Sequence, residues 1–237
     1  MAEQFKLGVD VSTWNRVDWK ALRAAGCTFV IVRFAYGTKP DKRAREHVRQ
    51  ARLEAFQVGP YQFFRECEDP GEQFGVFLEV DELVGYEPAD IIPSLDVEDD
   101  PGAPAGRQRV TPAWSAPAKL LSDLLAEQYG QSQTYLSRYT WLQLGRPKWV
   151  LERPLWIAKW SEDEPGELGG EDWEVWQRHV GPMPGSLGRD LDQDVARQLV
   201  LVPHPGPLGM TRGEVDRIKG VRGMALQQTY ESTRRNR

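Results

Sequence analysis

In the stretch IIPSLDVEDD, residues 91–100, an apolar run ends in four carboxylates, Asp96, Glu98, Asp99 and Asp100. In a strand, side chains alternate between faces, so Ile91, Pro93, Leu95 and Val97 share one side while Ile92, Ser94, Asp96 and Glu98 share the other. Asp96 and Glu98 then stand about 6.5–7 Å apart along the strand. Like charges that close in a partly dry site push at least one pKa upward. An acid kept protonated near neutral pH is what glycosidic bond cleavage requires, because the leaving oxygen must receive a proton. Asp99 and Asp100, followed by Pro101 and Gly102, read as the start of a solvated loop.

Two further segments carry acids with the same phase. In KLGVDVS, Leu7, Val9 and Val11 face one way and Gly8, Asp10 and Ser12 the other. In RDLDQDV, Asp190 and Asp192 share a face. Aromatic residues form a second constellation. PLWIAKW places Trp156 and Trp160 on one face with Ala158, DWEVWQ offers Trp173 and Trp176, and Tyr61 and Tyr135 sit in neighbouring strand-like segments. Sugar rings present apolar C–H faces that stack on such side chains, while indole and phenol tips hydrogen-bond hydroxyls. Trp173, which shares a face with Val175, reads as core. Arg33, inside the apolar run FVIVRFA, needs an anionic partner if it points inward, and a carboxylate of the acidic cluster is available. Facing the helices instead, it would extend its guanidinium past them to water.

The elements that must position these groups alternate. Strand-like segments at 6–12, 28–37, 58–64 and 91–98 are separated by helical stretches, the pattern of βα units and a mostly parallel sheet. DPGEQFGVFLEVDELVG opens with Asp69 as N-cap, Pro70 at the first helical position and Glu72 completing a capping box. TPAWSAPAKLLSDLLAEQYG starts at Thr111 and Pro112, aligns Leu120, Leu121, Leu124 and Leu125, and stops at Gly130. After about residue 132, strand signals continue in QTYLS, PLWIAKW, DWEVWQRH and RDLDQDV, but long helical patterns fade. The expected fold is α/β: a flattened, irregular, TIM-like (β/α) barrel with a helix-poor second half over residues 1–202. In such barrels active sites assemble at the C-terminal ends of the strands, where Asp10, Asp96 and Glu98 fall. A linker and a basic tail follow at 203–237, with seven basic and three acidic residues after the linker.

Composition narrows the partners. A net charge of −5 without a basic stripe in the first 200 residues argues against nucleic acid. Cys27 and Cys67 form no CxxC pair and read as small core residues. His47, His179 and His204 are scattered, so neither a metal site nor a cofactor is expected. No apolar run is long enough for a membrane span, and strand character from about Lys6 leaves no room for a signal peptide.

Together, GVDVSTW, FVIVRFAYGT, VGPYQFF, PSLDVED, TYLSRYTW, PLWIAKW, WEVWQ and DLDQDV resemble, in order, the family 25 glycoside hydrolases, lysozymes of the Chalaropsis type. The resemblance implies cleavage of the β-1,4 bond between N-acetylmuramic acid and N-acetylglucosamine in bacterial peptidoglycan. It also implies Glu98 as general acid, Asp96 as its partner, and Asp10 together with Asp190 or Asp192 as further acids. Gln62, Lys159 and Arg178 depart from the family pattern beside the expected cleft. A chitinase-like hexosaminidase is the nearest rival, although the positions before Asp96 lack the longer DxxDxDxE motif. A non-catalytic glycan-binding or virion structural protein on the same barrel is another. The expected place of action is the cell wall, reached by holin release, particle delivery or after loss of a leader. The tail would dock on a wall polymer or a particle.

Overall fold

The computed structural model describes residues 5–87 and 89–203. Its strands are β1 (Lys6–Val11), β2 (Cys27–Tyr36), β3 (Lys39–Pro40), β4 (Gln57–Phe63), β5 (Ser94–Asp96), β6 (Gln133–Ser137), β7 (Leu155–Ala158), β8 (Val175–Gly181) and β9 (Leu191–Ala196). They form one sheet in the order β1-β9-β8-β7-β6-β5-β4-β2-β3, and a β1–β2 pairing closes it into an eight-stranded barrel with β3 appended at the edge. From β1 through β2 and β4 to β8, consecutive barrel strands run parallel. β9 is the exception, antiparallel to both neighbours.

The helices are α1 (Trp19–Ala24), α2 (Ala44–Leu53), α3 (Pro70–Val84), α4 (Ser115–Tyr129), α5 (Arg138–Gln143) and α6 (Lys148–Leu151). The second half has only the short α5 and α6, as the fading periodicity predicts. The α3 boundaries follow its end signals. Asp69 accepts from the Glu72 amide at 3.0 Å, and Gly85 ends the helix at φ 65°. The stretch from Thr111 begins with a 3-10 turn, Pro112–Trp114, before α4 proper, and Gly130 closes α4 at φ 81°. Leu121, Leu124 and Leu125 are buried there.

Two apolar layers result. Val9, Val11, Val30, Val32, Leu95, Val97 and Val195 pack outward against the helices. Phe29, Ile31, Tyr61, Tyr135, Trp156, Val175 and Ala196 fill the interior. Gly8 belongs to the inward face of β1, and the Phe29 ring lies 2.4 Å from where a Cβ would stand. The alternation expected of residues 91–98 holds only from Ser94. Pro93 interrupts the strand, so Ile92 joins the outer layer with Leu95 and Val97, and Ile91 turns inside. Cys27 is buried, whereas Cys67 is only half-buried. Among the described residues no helix is long and apolar enough to cross a membrane, and no cluster of His, Cys, Asp and Glu is arranged to hold a metal. The linker and basic tail lie, from His204 onward, outside the described residues.

Candidate active site

Four carboxylates converge at the barrel mouth. Asp10 lies near the end of β1, Asp96 is the last residue of β5, and Glu98 follows two residues later. Asp192 arrives from the opposite direction. Because β9 is antiparallel, the start of that strand meets the ends of the others, and Asp192 is the register partner of Asp10. Asp190 stands just before β9, is exposed, and offers its backbone carbonyl to Asn15 Nδ2 at 3.5 Å. Of the two last-strand acids, Asp192 is the one within the cluster.

Like charges directly opposed across strands repel, and burial removes the water that would screen them. Burial is the main cause of every shift here. It raises Asp10 well above the ordinary carboxylate range, with Asp192 and Asp194 adding to the effect. Asp96 is raised by burial and by Glu98, against an opposing pull from Arg33. Glu98 is raised to about 7 by burial, then by Asp192, Asp99 and Asp100, and Asp192 to about 6 by burial. One Asp96 oxygen is buried without a hydrogen-bond partner. A half-buried acid that holds its proton near neutral pH, beside acids able to ionise, has the electrostatics of proton donation to a leaving group.

Gln177, on the inward face of β8, organises one side of the cluster. Its Oε1 accepts from Tyr135 Oη at 2.9 Å and from Trp160 Nε1 at 3.0 Å. With two donors on the oxygen, the amide nitrogen is directed to Asp10 Oδ2, 2.8 Å away. Below it, Trp156 packs edge-on against Tyr135 and Tyr61 and donates Nε1 to Asp194 Oδ1 at 2.9 Å. Asp194 is buried, on the same face of β9 as Asp192. Its pKa too is raised, by burial above all.

The cleft walls are aromatic. A recess of about 270 Å³ beside Glu98 is bounded by Tyr135, Tyr139, Thr140, Ala158 and Trp160. Trp160 is 68% exposed and Tyr139 57%, so both offer open faces. Across the cluster, a larger cleft of about 810 Å³ is lined by Ser12, Trp14, Asn15, Arg189, Asp190 and Asp192, with Arg189 5.5 Å above the Trp14 ring. Tyr61, Tyr135 and Trp156 are nearly covered and form the floor. Trp176 faces away from the cleft: it packs on Trp173 in the outer layer and donates Nε1 to Lys159 O at 2.7 Å. Trp173 is core, but on the face opposite Val175. The strand starts only at Val175, so alternation does not extend back to Trp173.

Arg33 points inward, yet its partner is Asp41 at 2.9 Å and not a member of the acidic cluster. Asp41 also accepts from the Thr13 amide at 2.8 Å, tying the β1 loop to the end of β2. His47 contacts Ser12 O at 3.2 Å under the same loop. Gln62 is buried and donates to Gly37 O at 2.9 Å, while Lys159 donates to Glu164 O at 2.9 Å. Arg178 meets Glu162 at 3.5 Å. The expectation of a solvated loop fails at Asp100, which is fully buried and bound by Arg65 Nε at 2.9 Å. Sequence reasoning also missed Gln177, Asp194, Trp14 and Tyr139. Alternation from Asp192 already carried the signal for Asp194, but the phase of β8 was hidden by Trp173, which lies before the strand and not in it.

Residues 9–183 match the glycosyl hydrolases family 25, a span that contains Asp10, Asp96 and Glu98. A search of curated proteins finds no match. Among solved structures, the chain is similar to the bacterial lysozyme from Streptomyces coelicolor (TM-score 0.72, 20% identity, covering 83% of this chain and 94% of that one). It is also similar to a family 25 lysozyme from Aspergillus fumigatus (TM-score 0.69, 20% identity, 81% and 94% covered). A third is the modular autolysin LytC from Streptococcus pneumoniae, solved with a synthetic peptidoglycan ligand (TM-score 0.71, 19% identity, 82% and 47% covered).

Proposed function

Because the chain belongs to glycosyl hydrolases family 25, we propose that it is a peptidoglycan hydrolase cleaving the β-1,4 bond between N-acetylmuramic acid and N-acetylglucosamine. The observation that carries this reading is the half-buried Glu98, raised to about 7, opening on an aromatic recess next to Asp96 and Asp192. Glu98 protonates the leaving glycosidic oxygen and then, as carboxylate, activates water. Asp96, Asp10 and Asp192 steady the oxocarbenium-like charge that develops at the sugar or hold its N-acetyl group. Trp160 and Tyr139 stack on sugar faces, and Gln177 keeps Asp10 oriented. The lysozymes similar in fold and the autolysin bound to a peptidoglycan ligand support this substrate. The site of action is the cell wall, with residues 1–202 as the catalytic barrel and the basic tail as an anchor on anionic wall polymers or a delivering particle.

Digestion of peptidoglycan followed by mass spectrometry of the fragments tests the reading. New muramic-acid reducing ends, absent with Glu98→Gln, are expected. N-acetylglucosamine reducing ends would assign the other bond, and intact walls of every type would leave a glycan-binding protein. Deleting residues 204–237 checks the anchor, which is wrong if wall binding and rate are unchanged.

A further inference from the structure

We propose that Asp100, locked by Tyr36 and Arg65, is a positioning residue for Glu98; the inference rests on Glu98 as the proton donor. Glu98 lies midway between two fixed points. On one side β5 ends at Asp96, whose carbonyl accepts from the Phe64 amide at 2.9 Å, and the Val97 amide donates to Tyr135 O at 3.0 Å. On the other side Asp100 has no exposed surface, and the charge this requires is met from several directions. Arg65 Nε donates to Oδ2 at 2.9 Å, and the Gly102 amide to Oδ1 at 2.9 Å. Tyr36 Oη, at the end of β2, also donates to Oδ1. The Asp100 amide donates to Gln108 O at 2.8 Å, closing the loop on itself.

The partners are themselves fixed. Arg65 Nη2 donates to Gly102 O at 2.9 Å, and its guanidinium lies 4.9 Å from the Tyr36 ring centroid. The Arg65 amide and carbonyl are both bound by the Gln73 side chain of α3, at 3.0 and 2.9 Å. Gly102 is required by the same packing, since a Cβ there would stand 2.3 Å from Tyr36 Oη. Only Val97, Glu98 and Asp99 bridge the two anchors, and the Val110 amide holds Asp99 Oδ1 at 2.8 Å. The clamp thus restricts where the Glu98 carboxyl can go without touching substrate. Proton transfer is steep in geometry: a misplacement of about 1 Å can cost about 100-fold in rate.

The test compares the full-length wild type with Tyr36→Phe and Asp100→Asn. Tyr36→Phe removes one hydroxyl and is expected to lower kcat about tenfold with KM within about twofold. Asp100→Asn, which also breaks the Arg65 pair, should lower kcat about 100-fold. Circular dichroism gives the folded fraction of each. If Asp100→Asn does not fold, Tyr36→Phe decides. Wild-type kcat per folded molecule, or a KM that rises as kcat falls, overturns the proposal. A second readout needs no wall digestion: carbon-detected NMR titration of the Glu98 carboxyl. That carboxyl is faced by Asp192 from β9, Tyr135 from β6, Asp96 from its own strand, and Asp99 and Asp100 from its own loop. In Asp100→Asn one repelling carboxylate is gone while Arg65 keeps its ion pair with Glu68, so the Glu98 midpoint should move to lower pH. An unmoved midpoint refutes the clamp even where the muramidase reading stands. A wild type that digests no wall refutes the muramidase reading and leaves the titration to decide on the clamp.

Discussion

The barrel mouth and its shoulder hold the same residue type in opposite surroundings. At the mouth Asp10, Asp96, Glu98 and Asp192 face one another, and no ion pair among the described residues reaches them. At the shoulder the acids meet arginines: Asp41 with Arg33, Asp100 and Glu68 with Arg65, and Asp99 with Arg109. A carboxylate paired with a guanidinium ties loops together. Left alone, it holds a proton and repels its neighbours, which costs stability and creates acid–base chemistry. Residues 96–100 cross from one state to the other within a single turn of chain.

The largest expected effect comes from breaking the mouth. Glu98→Gln should lower kcat on peptidoglycan by about 10²–10⁴, the usual weight of a general acid, with KM little changed in steady-state assays. Breaking the shoulder comes next. Arg65→Met leaves Asp100 buried and uncompensated, at a cost of about 3–5 kcal/mol, readable as a lower urea midpoint. Asp192→Asn should reduce kcat about tenfold or more, whereas Asp190→Asn, outside the cluster, should stay within about twofold. Equal losses in the two would erase the distinction drawn between them. Trp160→Ala should raise KM about 2- to 10-fold through lost stacking, with a smaller fall in kcat through Gln177.

The mildest effect is thermal, and it reports on the mouth. Glu98 and Asp192 have folded-state pKa values, about 7 and about 6, above those of the unfolded chain. The folded state therefore holds protons that the unfolded state releases, and their stabilisation is full below about pH 4 and lost as pH rises through 6 to 7. Melting temperature should rise as pH falls from 8 to 5. At pH 8, Glu98→Gln should raise it by about 2–4 °C although the variant loses most of its activity. A melting temperature that falls over that acid range would mean that the mouth carboxylates are paired after all.

Much of this was legible in the chain. Strand alternation put Asp10 on the inward face of β1 and Asp96 with Glu98 at the end of β5. The caps at Asp69, Gly85 and Gly130 set their helices because end signals act over a few residues. What failed was non-local. Asp100 reads as a solvated loop because its partner Arg65 lies 35 positions away. Arg33 reads equally as pairing with the acidic cluster or as reaching past the helices to water, because Asp41 becomes its neighbour only when the chain turns at β3. Trp176 reads as a cleft residue and lies in the outer layer because nothing in DWEVWQ marks where the strand begins.

The sequence by itself determined the barrel class, the helix-poor second half and the acids of β1 and β5, since periodicity, caps and alternation are local properties of the backbone. The tertiary structure alone decided that β9 runs antiparallel, which brings Asp192 opposite Asp10 and leaves Asp190 outside. It also decided which carboxylates receive an arginine and which do not. Charge state depends on distance and burial in space, and neither is written in the spacing of residues along the chain.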